Sequence, residues 1–256
     1  MKESKRKVLI ATGGTGGHVF PAYSLAKHLI KNQSSVDIVT DKRGFKFLKN
    51  YQDIKLKVIS SATIFTKNPI TMIVSLIKIK LAFISSLIFL FKSKPNIVFG
   101  MGGYSSFPVC IAAKILNIPF IIYENNLIIG KANKFLLPFA HKIFVSSLDL
   151  EGIKRKHEDK KIEIGNIVRE EIVNFNASSS YSKKDVVSIL IMGGSQAAKS
   201  FAEILPHVFQ RCVKEGIKLK IYQQCLLSQK DELDTKYRLL NIEFELFNFN
   251  YNLLNY

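Results

Sequence analysis

The chain has 256 residues, 47% of them apolar, and carries a net charge of +17. That is enough apolar material for one large domain or two small ones. The three cysteines (Cys110, Cys212 and Cys225) form no C-x-x-C pair and have no histidine cluster nearby, which excludes a disulfide frame and a zinc site and points to reduced thiols in a cytoplasmic protein. The positive charge is spread as lysine along the whole chain, without a basic helix or a platform of stacking aromatics, so nucleic acid is not an expected partner.

Taken in order, the chain opens with a basic start, too short in apolar residues for a secretory signal. Val8-Leu9-Ile10-Ala11 then reads as a buried parallel strand, followed by Thr12-Gly13-Gly14-Thr15-Gly16-Gly17-His18-Val19-Phe20 and an amphipathic helix from Pro21 to Lys31. Strand, glycine turn and helix together aim backbone N–H groups and a helix dipole at an anion. The plain alternative is a turn that needed flexibility. The spacing lacks the third glycine of G-x-G-x-x-G and the lysine of a P-loop. Asp41 does stand at the end of the next strand, where a ribose-binding acid belongs, so a nucleotide-binding oxidoreductase is the competing enzyme class.

Val36–Thr40 and Lys55–Ser60 read as strands two and three. Ile70–Phe91 is the most apolar stretch, with Lys78 and Lys80 in its middle, each costing about 3 kcal/mol at a bilayer centre. Thr71, Ser75, Lys78, Ala82 and Ser85 recur at helical spacing as a narrow polar stripe. Such a helix is either an ordinary core helix or is pressed into a lipid interface with its lysines snorkelling. Asn96–Phe99 is a fourth strand, entering a second glycine turn, Gly100-Met101-Gly102-Gly103-Tyr104-Ser105-Ser106, and a helix from Phe107 to Leu116. Two such turns at one sheet edge predict a crevice for a phosphate-bearing ligand.

Pro119–Tyr123 and Lys142–Ser146 are strands five and six, with Glu124-Asn125-Asn126 and a helix over Ile129–Leu137 between them. Gly165-Asn166-Ile167-Val168-Arg169 closes this half, and a serine-rich linker follows. The pattern restarts with strand Val186–Met192, a third turn Gly193-Gly194-Ser195-Gln196, helix Ala197–Glu215, and strands Lys218–Gln223 and Ile242–Leu246. The expected domains are 1–169, a linker over 170–184, and a smaller, incomplete 185–256.

These motifs, in their order and spacing, resemble the MurG family of glycosyltransferases, which move N-acetylglucosamine from UDP-N-acetylglucosamine onto undecaprenyl-pyrophosphoryl-muramoyl-pentapeptide (lipid I). The resemblance implies an α/β protein of the GT-B class, two Rossmann-like domains with parallel sheets, the first for the lipid-linked acceptor and the second for most of the UDP-sugar. It implies donor contacts from Thr15, Gly16, Gly17, Asn126, Arg169 and Ser195, and acceptor contacts from Gly14, Gly102, Gly103, Tyr104 and Ser105. His18 is the candidate for deprotonating the acceptor hydroxyl, with no metal and no cofactor. Plainer roles are a structural imidazole for His18, a salt bridge for Arg169 and a helix cap for Ser195. The resemblance further implies a peripheral position on the cytoplasmic face of the inner membrane, with an anionic membrane surface as partner.

The chain departs from the family at Tyr123 and Asn125, where His and Gln are usual, at Ile167 for a Pro, and at Ala197 for a Gly. Leu246–Tyr256 contains only Leu, Phe, Asn and Tyr and reads as out-of-frame translation of A/T-rich DNA, so the expectation is a truncated or frameshifted chain with feeble turnover. A non-catalytic fragment that still binds lipid I or the membrane is the alternative.

Overall fold

The computed structural model describes residues 6–51, 53–60, 69–174, 185–193 and 195–248. The serine-rich stretch 175–184, Gly194 and the tail from 249 lie outside the described residues, as do the side chains of Thr71, Ser195 and Ala197. The chain divides into two units, Met1–Val173 and Asn174–Tyr256.

The first unit is built on seven parallel strands in the order β3-β2-β1-β4-β5-β6-β7. They are β1 (Lys7–Ala11), β2 (Ser35–Thr40), β3 (Lys55–Val58), β4 (Ile97–Gly100), β5 (Phe120–Glu124), β6 (Lys142–Val145) and β7 (Lys161–Glu163). Six were legible as short apolar runs. The seventh, β7, was not, because Lys161-Ile162-Glu163 has only one apolar residue.

Alternation along β1 shows why the sheet is covered on both faces. Leu9 and Ala11 join a core with Ala82, Leu90, Val109 and Leu136, whereas Val8 and Ile10 join Val19, Ala22, Ala26 and Leu48 on the other side. The second cluster belongs to α1 (Gly16–Lys31) and α2 (Lys42–Leu48). The first belongs to α3 (Pro69–Ser93), α4 (Ser106–Ile115) and α5 (Lys131–Leu136). A single turn, α6 (Glu170–Val173), ends the unit, tied back by Lys31 Nζ to Glu170 Oε1 at 3.0 Å.

Chain direction reverses across β1. The path runs outward through β2 and β3, then returns to β4 on the other flank of β1. Ligands of open parallel sheets bind outside the carboxyl ends of the strands at such a switch point.

Two helices differ from the sequence reading. The first glycine turn is shorter than expected, because α1 starts at Gly16 and Pro21 lies inside it. A proline there has no N–H for the carbonyl four residues back. That carbonyl, of Gly17, instead accepts from Asn125 Nδ2 at 3.4 Å.

The polar stripe of α3 turns only partly inward: Ala82 is buried and Ser75 and Ser85 are half-buried, while Lys78 is exposed. Ala82 and Ser86 are buried with Leu90, and Ser86 Oγ donates to the Ala82 carbonyl at 2.7 Å. Small residues let α3 lie close against the unit. Its solvent face is apolar instead: Ile73, Ile77, Leu81, Ile84, Ile88 and Phe91 are all exposed.

The second unit has three parallel strands in the order β10-β9-β8: β8 (Val186–Ile191), β9 (Lys218–Gln224) and β10 (Glu243–Phe247). Helices α7 (Ser195–Lys214) and α8 (Lys230–Leu239) supply its core, where Phe209, Leu233 and Tyr237 meet Leu219 and Ile221.

The contrast along α3 makes a prediction. Leu90→Ala should lower the urea stability of the first unit by about 2–5 kcal/mol, the cost of a core cavity. Ile88→Ala, on the exposed face, should change it by no more than about 0.5 kcal/mol.

Candidate active site

Two glycine turns meet at the switch point with their backbones in contact. A Cβ on Gly103 would lie 2.4 Å from the Gly13 carbonyl oxygen, at a φ of +79° that side chains rarely adopt. A Cβ on Gly13 would lie 2.0 Å from Ser105 Oγ. The strand ladder continues into this junction through Thr12 N–H to the Val39 carbonyl and Met101 N–H to the Ala11 carbonyl, at 2.9 and 2.8 Å. Ser105 is fully buried, and its hydroxyl donates to the Thr12 carbonyl at 2.8 Å, stitching one turn to the other.

Each turn ends at a helix whose first turn has no side-chain cap. Thr15 occupies the N-cap position of α1 and Ser105 that of α4, and neither side chain accepts from its helix. Among the described residues, the N–H groups of Thr15, Gly16, Gly17, Gly102 and Gly103 have no acceptor. Orphan donors at two helix starts, each with a dipole's positive end, make an anion site from backbone alone. Gly14 differs, since its N–H donates to Asp41 Oδ1 at 3.1 Å.

That bond decides the role of Asp41. The carboxylate is buried, caps α2 through Gly44 N–H at 2.8 Å, and pairs with Arg43 at 3.3 Å. It is spent on the frame of the first turn, which removes the sequence feature on which an oxidoreductase rested.

His18 stands in the first turn of α1, over the second glycine turn. A Cβ on Gly102 would lie 2.6 Å from His18 Nδ1, so the ring occupies the space that a side chain there would need. Burial lowers its pKa from the ordinary 6.5, outweighing the Glu124 charge and a hydrogen bond to the Met101 backbone, both of which raise it. The imidazole is therefore neutral at pH 7 and able to accept a proton.

The carboxyl end of β5 holds the surrounding loops. Glu124 Oε1 accepts from the N–H and side-chain amide of Asn126 at 3.2 and 2.6 Å. Its Oε2 accepts from Gly130 N–H at 2.9 Å and Asn133 Nδ2 at 3.0 Å. The side chain of Asn126 is thus fixed at the surface by Glu124, and Glu124 itself has four protein donors. Tyr123 Oη bridges the Gly165 carbonyl and the Ile167 N–H, each at 3.3 Å.

Arg169 lies over the Phe20 ring at 5.5 Å and pairs with Glu171 at 2.9 Å, close to the start of α1. Tyr104 is exposed at the outer lip of the second turn. In the second unit, Gly193 N–H donates to Gln224 Oε1 at 3.2 Å, and α7 begins at Ser195. The structure thus brings Thr15, Gly16, Gly17, His18, Gly102, Gly103 and Tyr104 to one edge of the first sheet. Sequence reasoning missed the tethers made by Asp41, Tyr123 and Glu124; the available sign was that polar residues stand at the carboxyl ends of β2 and β5.

Residues 8–145 match the glycosyltransferase family 28 N-terminal domain. The chain is 36% identical over 252 residues to a UDP-N-acetylglucosamine–N-acetylmuramyl-(pentapeptide) pyrophosphoryl-undecaprenol N-acetylglucosamine transferase of Pelagibacter ubique, covering 98% of this chain and 69% of that relative. A protein of the same name from Rickettsia canadensis is 34% identical, with 95% of this chain and 68% of the relative covered. Among solved structures, Acinetobacter baumannii MurG is similar with a TM-score of 0.68 and 26% identity, covering 98% of this chain and 68% of that one.

Acid should be felt at the buried His18 ring. A group whose pKa is lowered by folding loses native-state stability as pH falls from its unfolded value toward its folded one. His18 should therefore titrate by NMR with a midpoint below 6.5, and the fold should weaken as pH drops below 6.5. A midpoint at or above 6.5 would show that the Glu124 charge and the Met101 hydrogen bond match or outweigh burial.

Proposed function

The chain belongs to glycosyltransferase family 28, in the GT-B class, and from that premise we propose that it transfers N-acetylglucosamine from UDP-N-acetylglucosamine to lipid I, forming lipid II of peptidoglycan. The observation that carries this reading is the pair of uncapped helix starts at the β1–β4 switch point with a neutral imidazole above them. Diphosphate groups of the two substrates match such backbone donors. Gly102 and Gly103, with Tyr104 at the lip, serve the acceptor diphosphate, while Gly14 and Ser105 act from behind by fixing the turns.

In the reaction, the acceptor hydroxyl oxygen bonds to C1 of the sugar as the bond from C1 to the UDP oxygen breaks. The hydroxyl proton passes to His18, and the bonding pair leaves on the β-phosphate. Thr15, Gly16, Gly17, Asn126 and Arg169 of the first unit offset the charge that develops there. The second unit takes most of the UDP-sugar, its contribution beginning at Ser195.

A transfer assay with labelled UDP-N-acetylglucosamine and a soluble lipid I analogue tests this. His18→Ala should cut turnover by about 10²–10⁴-fold, the usual contribution of a general base, and leave substrate binding in place. Undiminished transfer in the variant would remove the imidazole from the chemistry. Failure of the parent chain to bind either substrate would overturn the reading.

The same reading takes the chain to the cytoplasmic face of the inner membrane, where a polyprenyl acceptor resides. Helix α3 is apolar and long enough to cross a bilayer by length and composition, with a mean hydropathy of 2.2 over an 18-residue window within Ile73–Ser93. It is nonetheless packed along the first unit through Ala82, Ser86 and Leu90. Its exposed apolar face, with Lys78, Lys80 and Lys92 also exposed, suits a helix lying in the interface with its lysines reaching the headgroups.

Sedimentation with vesicles should show binding to anionic lipid that weakens with salt, at about 1 kcal/mol per lysine engaged. Ile84→Asp with Ile88→Asp should abolish it. Equal binding to neutral vesicles would contradict the electrostatic part.

A further inference from the structure

We propose that Tyr123 is a positioning residue: its hydroxyl locks the Gly165–Ile167 loop and so holds the Arg169 guanidinium over Phe20 at the start of α1. Tyr123 is 3% exposed, at the carboxyl end of β5, and Ile167 packs against the same apolar cluster. One hydroxyl makes both bonds, donating to the Gly165 carbonyl and accepting from Ile167 N–H, at 3.3 Å each. This is the full use of a phenol, which has one proton to give and lone pairs to receive.

The loop needs such a tether. Gly165 has a φ of +74° and nothing lies within 4 Å of where its Cβ would be, so the turn is not packed in place at that residue. Arg169 lies two residues past Ile167, and it stacks on Phe20, whose ring edge is 3.0 Å from where a Cβ on Gly16 would stand at the start of α1. Burial raises the Tyr123 pKa, so the proton donated to Gly165 stays on the hydroxyl across the working range.

The two unusual residues are one arrangement. Where Pro replaces Ile167 there is no N–H for the Tyr123 hydroxyl to accept, and where Phe replaces Tyr123 the Ile167 N–H loses its acceptor. Phe at 123 removes both bonds of the tether, and Pro at 167 removes one of them.

The inference rests, for its catalytic meaning, on the reading in which Arg169 serves the departing diphosphate. NMR on the full chain separates the two. In Tyr123→Phe the Ile167 amide should exchange at least about tenfold faster, with the global unfolding midpoint unchanged, because only a local opening becomes easier. The ring-current shift of the Arg169 side-chain protons over Phe20 should shrink. Unchanged Ile167 exchange, or a retained ring-current shift, would overturn the proposal.

Titration with UDP-N-acetylglucosamine then addresses the catalytic meaning. Tyr123→Phe should weaken binding about fivefold, equal to about 1 kcal/mol. In an Arg169→Ala background it should add no further loss, because residues acting through one group are not additive. An additive loss would show that Tyr123 acts by another route. If Arg169→Ala leaves donor affinity unchanged while Tyr123→Phe still frees the Arg169 side chain, the tether stands and the assignment of Arg169 to the donor fails.

Discussion

The arrangement depends on one contact, backbone against backbone, where Gly103 meets the Gly13 carbonyl. No side chain fits between them, since a Cβ would come within 2.4 Å. Because the turns touch, the starts of α1 and α4 are brought side by side, and two half-charges of the same sign share one edge of the sheet. Like poles held together without a cap are unfavourable in an empty site and favourable around an anion. The binding preference is therefore built into the path of the main chain rather than into any charged side chain.

The polar side chains around that edge are nearly all spent on holding it. Asp41 caps α2 and grips Gly14, Glu124 receives four donors, Ser105 donates to Thr12, and Asn125 supplies the donor that Pro21 lacks. A buried carboxylate whose oxygens are taken up by several donors is held in place, which makes it a good frame. His18 is the exception. Its Nδ1 faces the second glycine turn, and burial keeps it neutral. Fixed acids and one neutral base, side by side, divide the work between scaffold and chemistry.

Helix α3 shows the same separation on another surface. Ala82 and Ser86 face inward together with Leu90, while a second row of large apolar residues faces out. Close approach to the sheet is achieved by Ala82 and Ser86, and the bulk of Ile84, Ile88 and Phe91 is left exposed. The glycine-turn edge and this face belong to the same unit, Met1–Val173.

The class of fold was legible because parallel strands buried on both faces are short continuous apolar runs, and because three of them run into glycine turns. Six of the seven strands of the first sheet, the apolar helix and the candidate ligand-binding glycines followed from that pattern, as did the family through the order of its motifs. What the sequence could not decide was direction and partner. A stripe of Ser, Ala and Lys on α3 looks polar on a helical wheel, and only packing reveals that Ala82 is buried while Lys78 is exposed. Asp41 at a strand end looks like a ribose ligand, and only the position of Gly14 and Gly44 turns it into a cap. Tyr123 and Ile167 are 44 residues apart, and no local period links them. Periodicity reports how a segment faces its neighbours in sequence; hydrogen bonds between strand ends are set by the sheet that brings those ends together, and so belong to the tertiary structure.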